Sequence, residues 1–399
     1  QAVPFTSKMV GVNSLRVTAD RKEHLFLRKL VGAGMTPSNV APMIPALQQT
    51  AENLLNRLQT SHDDEQQLWN MHEICTEFTL DVATKQIIGM TVEEDQLSVF
   101  RQALSDWIGL LFAGADTEKG WNAREFMVRK IEARIDELKE NDGSALAAMV
   151  FSRDDDDDDD DADDESNTKK NKNSRRLSKD QIIENTLLLI LAGSETSAGT
   201  LTLCMLLLGL KPEKYTKLVQ EQESVLKQYG NALSNEALES GMPYADAVVR
   251  EALRIRPIVG GSMRGTKKTV VIDGKQIPAG WNVAYDRYLT HLLDPITYQP
   301  DESNMDVKKG FQPERWLDES TKPSEFIPFG IGPRYCLGAD LAMAEMKVFL
   351  ATVARRLPSL QLTNPSSEDI VWKEKCIIPV PKDGVIVDAS KVREPQTVA

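Results

Sequence analysis

Cysteine is scarce and scattered in this chain of 399 residues: Cys75, Cys204, Cys336 and Cys376 lie far apart, and no two are spaced as C-x-x-C. That excludes zinc ribbons and cysteine-ligated iron–sulfur clusters. In a chain this long it also gives no sign of a disulfide framework. Histidine is equally rare at four residues, and aromatics make up 6%. An excess of one charge is missing once a single block is set aside. The formal net charge of −13 comes mostly from Asp154 to Asp161 with Asp163, Asp164 and Glu165; without them 49 acids face 47 bases. The balance therefore carries no signal for nucleic acid or acidic substrates. The most apolar stretch, Thr186–Leu210, holds Ser194, Glu195, Thr196 and Ser197 in its middle, a cluster that hydrocarbon penalises, so no transmembrane segment is assigned. No internal repeat is present. The chain opens at Gln1 with neither an initiator methionine nor a signal peptide, so it reads as the interior of a longer protein.

What is present is helical periodicity. Composition is that of a globular chain, 41% apolar and 27% charged, and β-branched residues are not concentrated, which points to a mainly α fold. Residues 1–35 are mixed and short-ranged. Apolar spacing then predicts helices over Ser38–Leu58, Leu68–Ile88, Asp95–Leu111 and Ala123–Leu138. Residues 153–176 are a low-complexity insert in which an acidic block runs into Lys169, Lys170, Lys172, Arg175 and Arg176. With nothing to bury, it is expected to be a disordered surface loop, the functional alternative being a calcium- or partner-binding segment. Ser178 and Gln181 have capping-box spacing and open a helix that can run to Leu210, where Lys211-Pro212 stops it. Being apolar almost all round, this helix should be buried. Pro243–Arg256 is a further helix. Thr269–Ile272 and Lys275–Ile277, joined by Asp273-Gly274, read as a hairpin with a type I′ turn, and Gly280–Tyr285 as a strand. The last long helix covers Leu337–Arg356, and Leu360–Val387 reads as short strands and turns.

The chemistry concentrates in Phe329-Gly330-Ile331-Gly332-Pro333-Arg334-Tyr335-Cys336-Leu337-Gly338. A thiol at the start of a helix meets free backbone N–H groups and the positive end of the dipole, and both favour thiolate, the form that ligates iron. Gly332 and Gly338 lack Cβ, so a flat macrocycle could approach the backbone, and Arg334 could meet a carboxylate. Taken by itself, the cysteine is equally compatible with an inert buried thiol in a helix-capping loop.

The whole string resembles the haem-binding signature of the cytochromes P450, F-x-x-G-x-R-x-C-x-G, at Phe329, Gly332, Arg334, Cys336 and Gly338. Glu251-Ala252-Leu253-Arg254 looks like the family's E-x-x-R pair, whose spacing lets the two side chains meet. Phe311-Gln312-Pro313-Glu314-Arg315-Trp316 is similar to its P-E-R segment. Ala192-Gly193-Ser194-Glu195-Thr196-Ser197 matches [A/G]-G-x-[D/E]-T-[T/S]. His24-Leu25-Phe26-Leu27-Arg28 resembles W-x-x-x-R with His24 in place of Trp. The resemblance runs from about Val10 to Val387 apart from the insert; the family's anchor, first helix and most of its first sheet are not in the sequence. It implies one cytochrome P450 domain over 1–399, with a large helical part and small β-sheets.

The resemblance further implies haem b held by Cys336, with Arg28, His24, Arg264 and Arg334 around its carboxylates. Glu251, Arg254 and Arg315 would form a buried network that holds the Cys loop. Gly193 would open the long helix locally, Thr196 would hydrogen-bond dioxygen, and Glu195 would pass protons; the alternative for Thr196 is a bond back to the i−4 carbonyl. His62 and His72 receive no role, and His291 sits in a segment of structural character. Val259–Arg264 and Ile277–Tyr285 look like the clan of retinoic-acid hydroxylases, plant steroid oxidases and their cyanobacterial relatives. A terpenoid-, sterol- or retinoid-like substrate is therefore implied, in an apolar pocket near Leu188, Ala192, Val259, Gly260 and Ile378. The expected activity is monooxygenation. The rivals are a haem-thiolate isomerase or dehydratase that uses no O2, and an inactive haem-binding fragment. No flavin, nicotinamide or iron–sulfur motif is found, so electrons are expected from a separate flavoprotein reductase or ferredoxin. Membrane association is expected through an anchor outside this sequence, at the endoplasmic reticulum or alternatively the plastid; nucleic acid is not an expected partner.

Overall fold

The structure is a computed structural model that describes residues 5–60, 67–90, 94–113, 117–154, 174–364, 370–372 and 380–394. Helices α1 (Phe5–Val10), α2 (Arg21–Val31) and α3 (Pro37–Val40) lead into α4 (Ile44–Thr60), α5 (Met71–Val82), α6 (Glu94–Ala113), α7 (Glu118–Glu137) and α8 (Ala145–Phe151). After the insert come α9 (Lys179–Leu210), α10 (Pro212–Tyr229), α11 (Asn235–Ser240), α12 (Pro243–Ile255), α13 (Arg287–Leu292) and α14 (Ala339–Arg356). The strands are short. β1 (Leu68–Asn70), β7 (Ile386–Asp388) and β6 (Gln361–Asn364) form one antiparallel sheet in that order. β2 (Gly261–Gly265) pairs with β5 (Asn282–Asp286), and β3 (Val270–Ile272) with β4 (Lys275–Ile277), both antiparallel. The expected mainly α fold with small sheets is what the structure has.

Helix α9 organises the core. Ser178 and Gln181 close the expected capping box, satisfying backbone donors that have no intrahelical partner. Its 32 residues extend about 48 Å at ~1.5 Å per residue. From Ser197 to Leu208 every residue is buried, against α5 on one side and α12 and α14 on others. By length and composition α9 could cross a membrane, but two-thirds of its most apolar window is covered by protein. Buried residues from Met9 to Ala389 belong to one apolar cluster around it.

Several expectations shift. The helix read over Ser38–Leu58 is broken: Pro42 sits in a 3-10 turn (Ala41–Met43), and α4 starts only at Ile44, because proline offers no N–H to continue a helix. Leu68–Asn70 is strand, not helix; it pairs with β7, and the Asn70 side chain then accepts from His72 N to start α5. Helix α2 lies where no regular period was read, with Asp20 as its cap. Pro212 does end α9, but it also fills the first turn of α10, where its missing N–H costs nothing. The buried positions of α10, Tyr215, Leu218, Gln222 and Val225, follow helical spacing that was present in the sequence. The hairpin turn has φ of 47° at Asp273 and 73° at Gly274, the pair of positive values that type I′ requires. Of the insert, 155–173 lie outside the described residues. Its two ends are structured: Asp154 and Arg175 exchange backbone hydrogen bonds of 2.8 and 3.0 Å, and Arg175 lies over the Phe26 ring of α2 at 3.7 Å.

The burial of α9 sets a stability test. Leu207 is fully buried, so Leu207→Ala is expected to lower the unfolding free energy by about 2–5 kcal/mol, read as an earlier urea midpoint for the far-UV helical signal.

Candidate active site

The site begins with a carboxylate. Glu251 and Arg254 on α12 are both fully buried, and a buried charge is tolerable only when paired and hydrogen-bonded. Arg254 donates through Nε and Nη2 to the two Glu251 oxygens at 2.8 and 2.9 Å. Arg315 Nε donates to the same carboxylate at 2.9 Å. Gln312 N and Trp316 Nε1 complete the shell at 3.1 and 2.9 Å. Arg254 Nη2 also donates to Asn304 O at 2.7 Å and Gly310 O at 3.3 Å, and Nη1 to Met305 Sδ at 3.3 Å. The structure thus brings together Glu251, Arg254 and Arg315, and with them the whole 304–316 segment. Trp316 packs edge-on against Phe326, ring centroids 4.6 Å apart, at the entrance to the Cys loop.

Three backbone bonds shape that loop: Gly330 N to Ile327 O at 3.0 Å, Tyr335 N to Gly332 O at 3.0 Å, and Cys336 N to Phe329 O at 2.9 Å. Gly330 and Gly332 have φ of 78° and 68°, values that side-chain-bearing residues rarely adopt. A Cβ on Gly332 or Gly338 would meet nothing within 4 Å, so the backbone is open on that side, as a flat ligand requires. Cys336 is exposed as a residue, but its thiol is largely screened from water. Its pKa departs from the expected direction. Desolvation raises it, outweighing the Gly338 N–H and the nearby Arg28 and Arg287 charges. In the protein by itself desolvation of the sulfur outweighs what the helix start contributes towards thiolate; a bound cation at sulfur would supply the missing stabilisation.

Cations gather beside the loop. Arg28 on α2 donates to Tyr335 O at 2.8 Å. Arg334 donates to Leu15 O and Thr18 O at 3.0 and 2.7 Å, so part of its fork ties the loop to the N-terminal segment. Arg264 on β2 donates to Met263 O at 2.9 Å and lies over the Tyr285 ring. Arg334 has its pKa lowered by burial and then by the Arg264 and Arg28 charges. His24 is buried, and its pKa falls through burial and then the Arg334 and Arg28 charges. Among the described residues none of these three arginines has a carboxylate partner. Like charges brought together without a counterion are a site for an anion. An iron porphyrin carries carboxylates and takes an axial sulfur, so the residues present fit it.

Along the middle of α9, Leu188, Leu191, Ala192, Gly193, Glu195 and Thr196 are accessible, most of them on one face at helical spacing. Glu195 has no charge partner to offset its burial, which pushes its pKa up to about 6. The Thr196 hydroxyl donates to Ala192 O at 2.7 Å. No local opening is seen at Gly193, which the sequence would permit: α9 is continuous through it, and a Cβ placed there would meet only the tip of Ile87 at an ordinary 3.6 Å. Val259 and Gly260 are exposed between α12 and β2. Ile378, Cys376 and His62 lie outside the described residues.

Arg287 and Glu345 carried no expectation from the sequence, and His291 was expected only to sit in a structural segment. Arg287 is buried and donates to Val259 O at 2.8 Å and Ser262 Oγ at 3.3 Å; no motif marks it. His291 is fully buried between Arg254 and Ile327. Glu345 on α14 is buried beside Ser197 of α9, and burial pushes its pKa up to about 8. Its only signal was an acid within an apolar stretch.

Fold and site together define a helical protein that presents a cysteine loop and an anion-binding set of cations. The comparisons agree. The cytochrome P450 family model matches residues 5–378. Cytochrome P450 26A1 of Danio rerio is 36% identical over 174 residues, 42% of this chain and 34% of that protein. (1S)-1-hydroxy-luvungin A synthase CYP88A37 of Citrus sinensis is 33% identical over 193 residues, 48% and 37% of the two chains. Retinoic acid bound cyanobacterial CYP120A1 superposes with a TM-score of 0.75 at 26% identity, covering 97% of this chain and 83% of that one. The chain belongs to the cytochrome P450 family. The matched segments span less than half the length of these curated relatives.

The buried Glu345 makes a pH prediction. A carboxyl whose pKa is raised in the folded protein binds its proton more tightly there than when unfolded. The stability it contributes is complete below the ordinary glutamate range and is lost as pH rises towards about 8. Glu345→Gln should flatten the decline in stability between pH 5 and 8, whose slope from this one group reaches at most ~1.4 kcal/mol per pH unit. Parallel denaturation curves of the two proteins at each pH check it.

Proposed function

We propose that this protein is a haem-dependent monooxygenase that inserts one oxygen atom from O2 into an apolar small molecule of the terpenoid, sterol or retinoid class. The observation that carries the reading is the Cys336 thiol on a glycine loop with open space beside it and arginines lacking carboxylate partners alongside. Haem bound through Cys336 supplies redox-active iron whose thiolate ligand favours cleavage of the O–O bond.

The chain's own residues do the rest. Arg28, Arg264 and Arg334, with His24 as a neutral donor, hold the carboxylates, and Phe329, Gly332 and Gly338 shape the surface below. Glu251, Arg254 and Arg315 keep the loop at its height. Glu195, with a pKa of about 6, holds or releases a proton near neutral pH, as a proton donor must. The Thr196 hydroxyl, accessible on the same face, can exchange its Ala192 bond for one to a ligand or water. Leu188 and Ala192 offer apolar wall, with Val259 and Gly260 as the facing side of the pocket. The substrate class draws support from relatives: one is named as a luvungin-type synthase and another is described with retinoic acid bound. Electrons come from a separate flavoprotein reductase or ferredoxin.

Two measurements test the reading. The reduced, CO-bound protein should show the strongly red-shifted Soret band of thiolate ligation, lost in Cys336→Ser; a chain that refuses haem, or holds it without that band, overturns the proposal. Thr196→Ala should keep consuming reductant while at least ~10-fold more of the electrons end in peroxide, a loss of the order expected for removing a proton-transfer partner. Unchanged product per electron would remove Thr196 from the mechanism.

A further inference from the structure

The Glu251 network fixes the 304–316 segment and reaches residues 324–327, from which the Cys loop springs, through the Trp316–Phe326 ring contact but with no hydrogen bond. A second set of bonds holds them directly. His291, at the end of α13, is fully buried. Its Nε2 lies 3.0 Å from Ile327 N, and its Nδ1 lies 3.0 Å from Arg254 O. A backbone N–H can only donate and a carbonyl can only accept, so Nε2 carries the lone pair and Nδ1 the proton. The imidazole is therefore neutral and in one tautomer. Burial, then the Arg254 and Arg287 charges, lower its pKa to about 4 against the opposing pull of the Arg254 carbonyl and Asp294.

Asp294, three residues on and also fully buried, grips the same segment. Its Oδ2 accepts from Ser324 N at 2.7 Å, Ser324 Oγ at 2.9 Å and Glu325 N at 2.6 Å. Its Oδ1 accepts from Ile296 N and Thr297 N at 3.1 and 2.9 Å, which fixes the turn that carries it. Between the two anchor points Phe326 is held by the His291 ring, centroids 5.4 Å apart, and by Trp316. Ile327 O then receives Gly330 N, and Phe329 O receives Cys336 N. An unbroken path of hydrogen bonds and three-residue turns runs from the α12 backbone through His291 to the sulfur-bearing residue.

We propose that His291 and Asp294 are positioning residues that set the location of the Cys336 sulfur relative to α12, separately from the Glu251 network. The role rests on the haem-thiolate reading above. The bonds themselves do not, and the experiment keeps the two apart.

The full chain, loaded with haem, is compared with His291→Phe, His291→Gln and Asp294→Asn. Phenylalanine keeps the ring against Phe326 and removes both hydrogen bonds. Glutamine offers one acceptor and one donor in place of the imidazole pair. Asparagine at 294 presents an N–H to donors that need an acceptor. The readouts are the fraction and lifetime of the thiolate-type CO band in mild urea, and amide hydrogen exchange at Glu325 and Ile327 in the haem-free chain. His291→Phe and Asp294→Asn should shorten the lifetime of the band about tenfold and speed exchange at their own target amide by a similar factor, as loss of a buried hydrogen bond implies. His291→Gln should restore most of both. Unchanged band lifetime and exchange in His291→Phe and Asp294→Asn overturn the proposal, as does a glutamine variant no better than phenylalanine. If His291→Phe fails to fold, Asp294→Asn and His291→Gln carry the same two readouts. If the unsubstituted protein shows no thiolate band, the haem-thiolate reading fails, and unaltered exchange in the variants is then what would sink the clamp.

Discussion

The structure below the Cys loop depends on one buried carboxylate having no unfilled lone pair. Glu251 accepts from Arg254, Arg315, Gln312 and Trp316, and it is fully buried. Taking these charges out of water is costly, and only a complete shell of donors offsets it. Completeness is what makes the network a geometric constraint: Arg254 comes from α12 itself, and the other donors come from Gln312, Arg315 and Trp316, so the 312–316 stretch has one place to lie. Trp316 passes that constraint to Phe326, and Phe326 to the start of the loop. Removing a single partner would leave charge stranded, which is why such a network holds its shape rather than adding much net stability.

The opposite electrical situation holds on the other side of the loop. Arg28, Arg264 and Arg334 are gathered with His24 and have carbonyls rather than carboxylates as partners. Burial first, and then their mutual repulsion, lowers the pKa values of Arg334 and His24. A folded chain that tolerates this is one whose stability rises when an anion binds, by linkage. The insert is anchored close by: Arg175 pairs with Glu23 and Lys29 with Asp154, so α2 carries the insert's ends at some positions and reaches the Cys loop through Arg28 at another.

Helix α9 shows why a motif in a helix needs its surroundings. Thr186, Ser194, Thr196, Thr200 and Thr202 all donate to the carbonyl four residues back. By local geometry Thr196 is one hydroxyl among five. It differs in lying on the accessible face with Glu195, whereas the other four are buried. A buried hydroxyl is closed to an incoming molecule, but an accessible one can be recruited by whatever enters the space beside it.

The sequence by itself determined what has a short-range cause. Positive φ at Asp273 and Gly274, the capping box at Ser178, the three-residue spacing of Glu251 and Arg254, and the glycines flanking Cys336 all express contacts within one turn, and each was legible. The long helices were legible too, through their apolar period, although Pro42 split one and Asn70 delayed another. Only the tertiary structure decided the rest. Arg28 reaches Tyr335 O across 307 positions of the chain and Arg334 reaches Leu15 O across 319, and no local pattern encodes such partners. The direction of the Cys336 pKa was likewise undecidable from its helix start, because desolvation depends on atoms brought by distant segments. The same holds for His291, whose residue type is ambiguous in sequence and becomes a fixed tautomer only between the Arg254 carbonyl and the Ile327 amide.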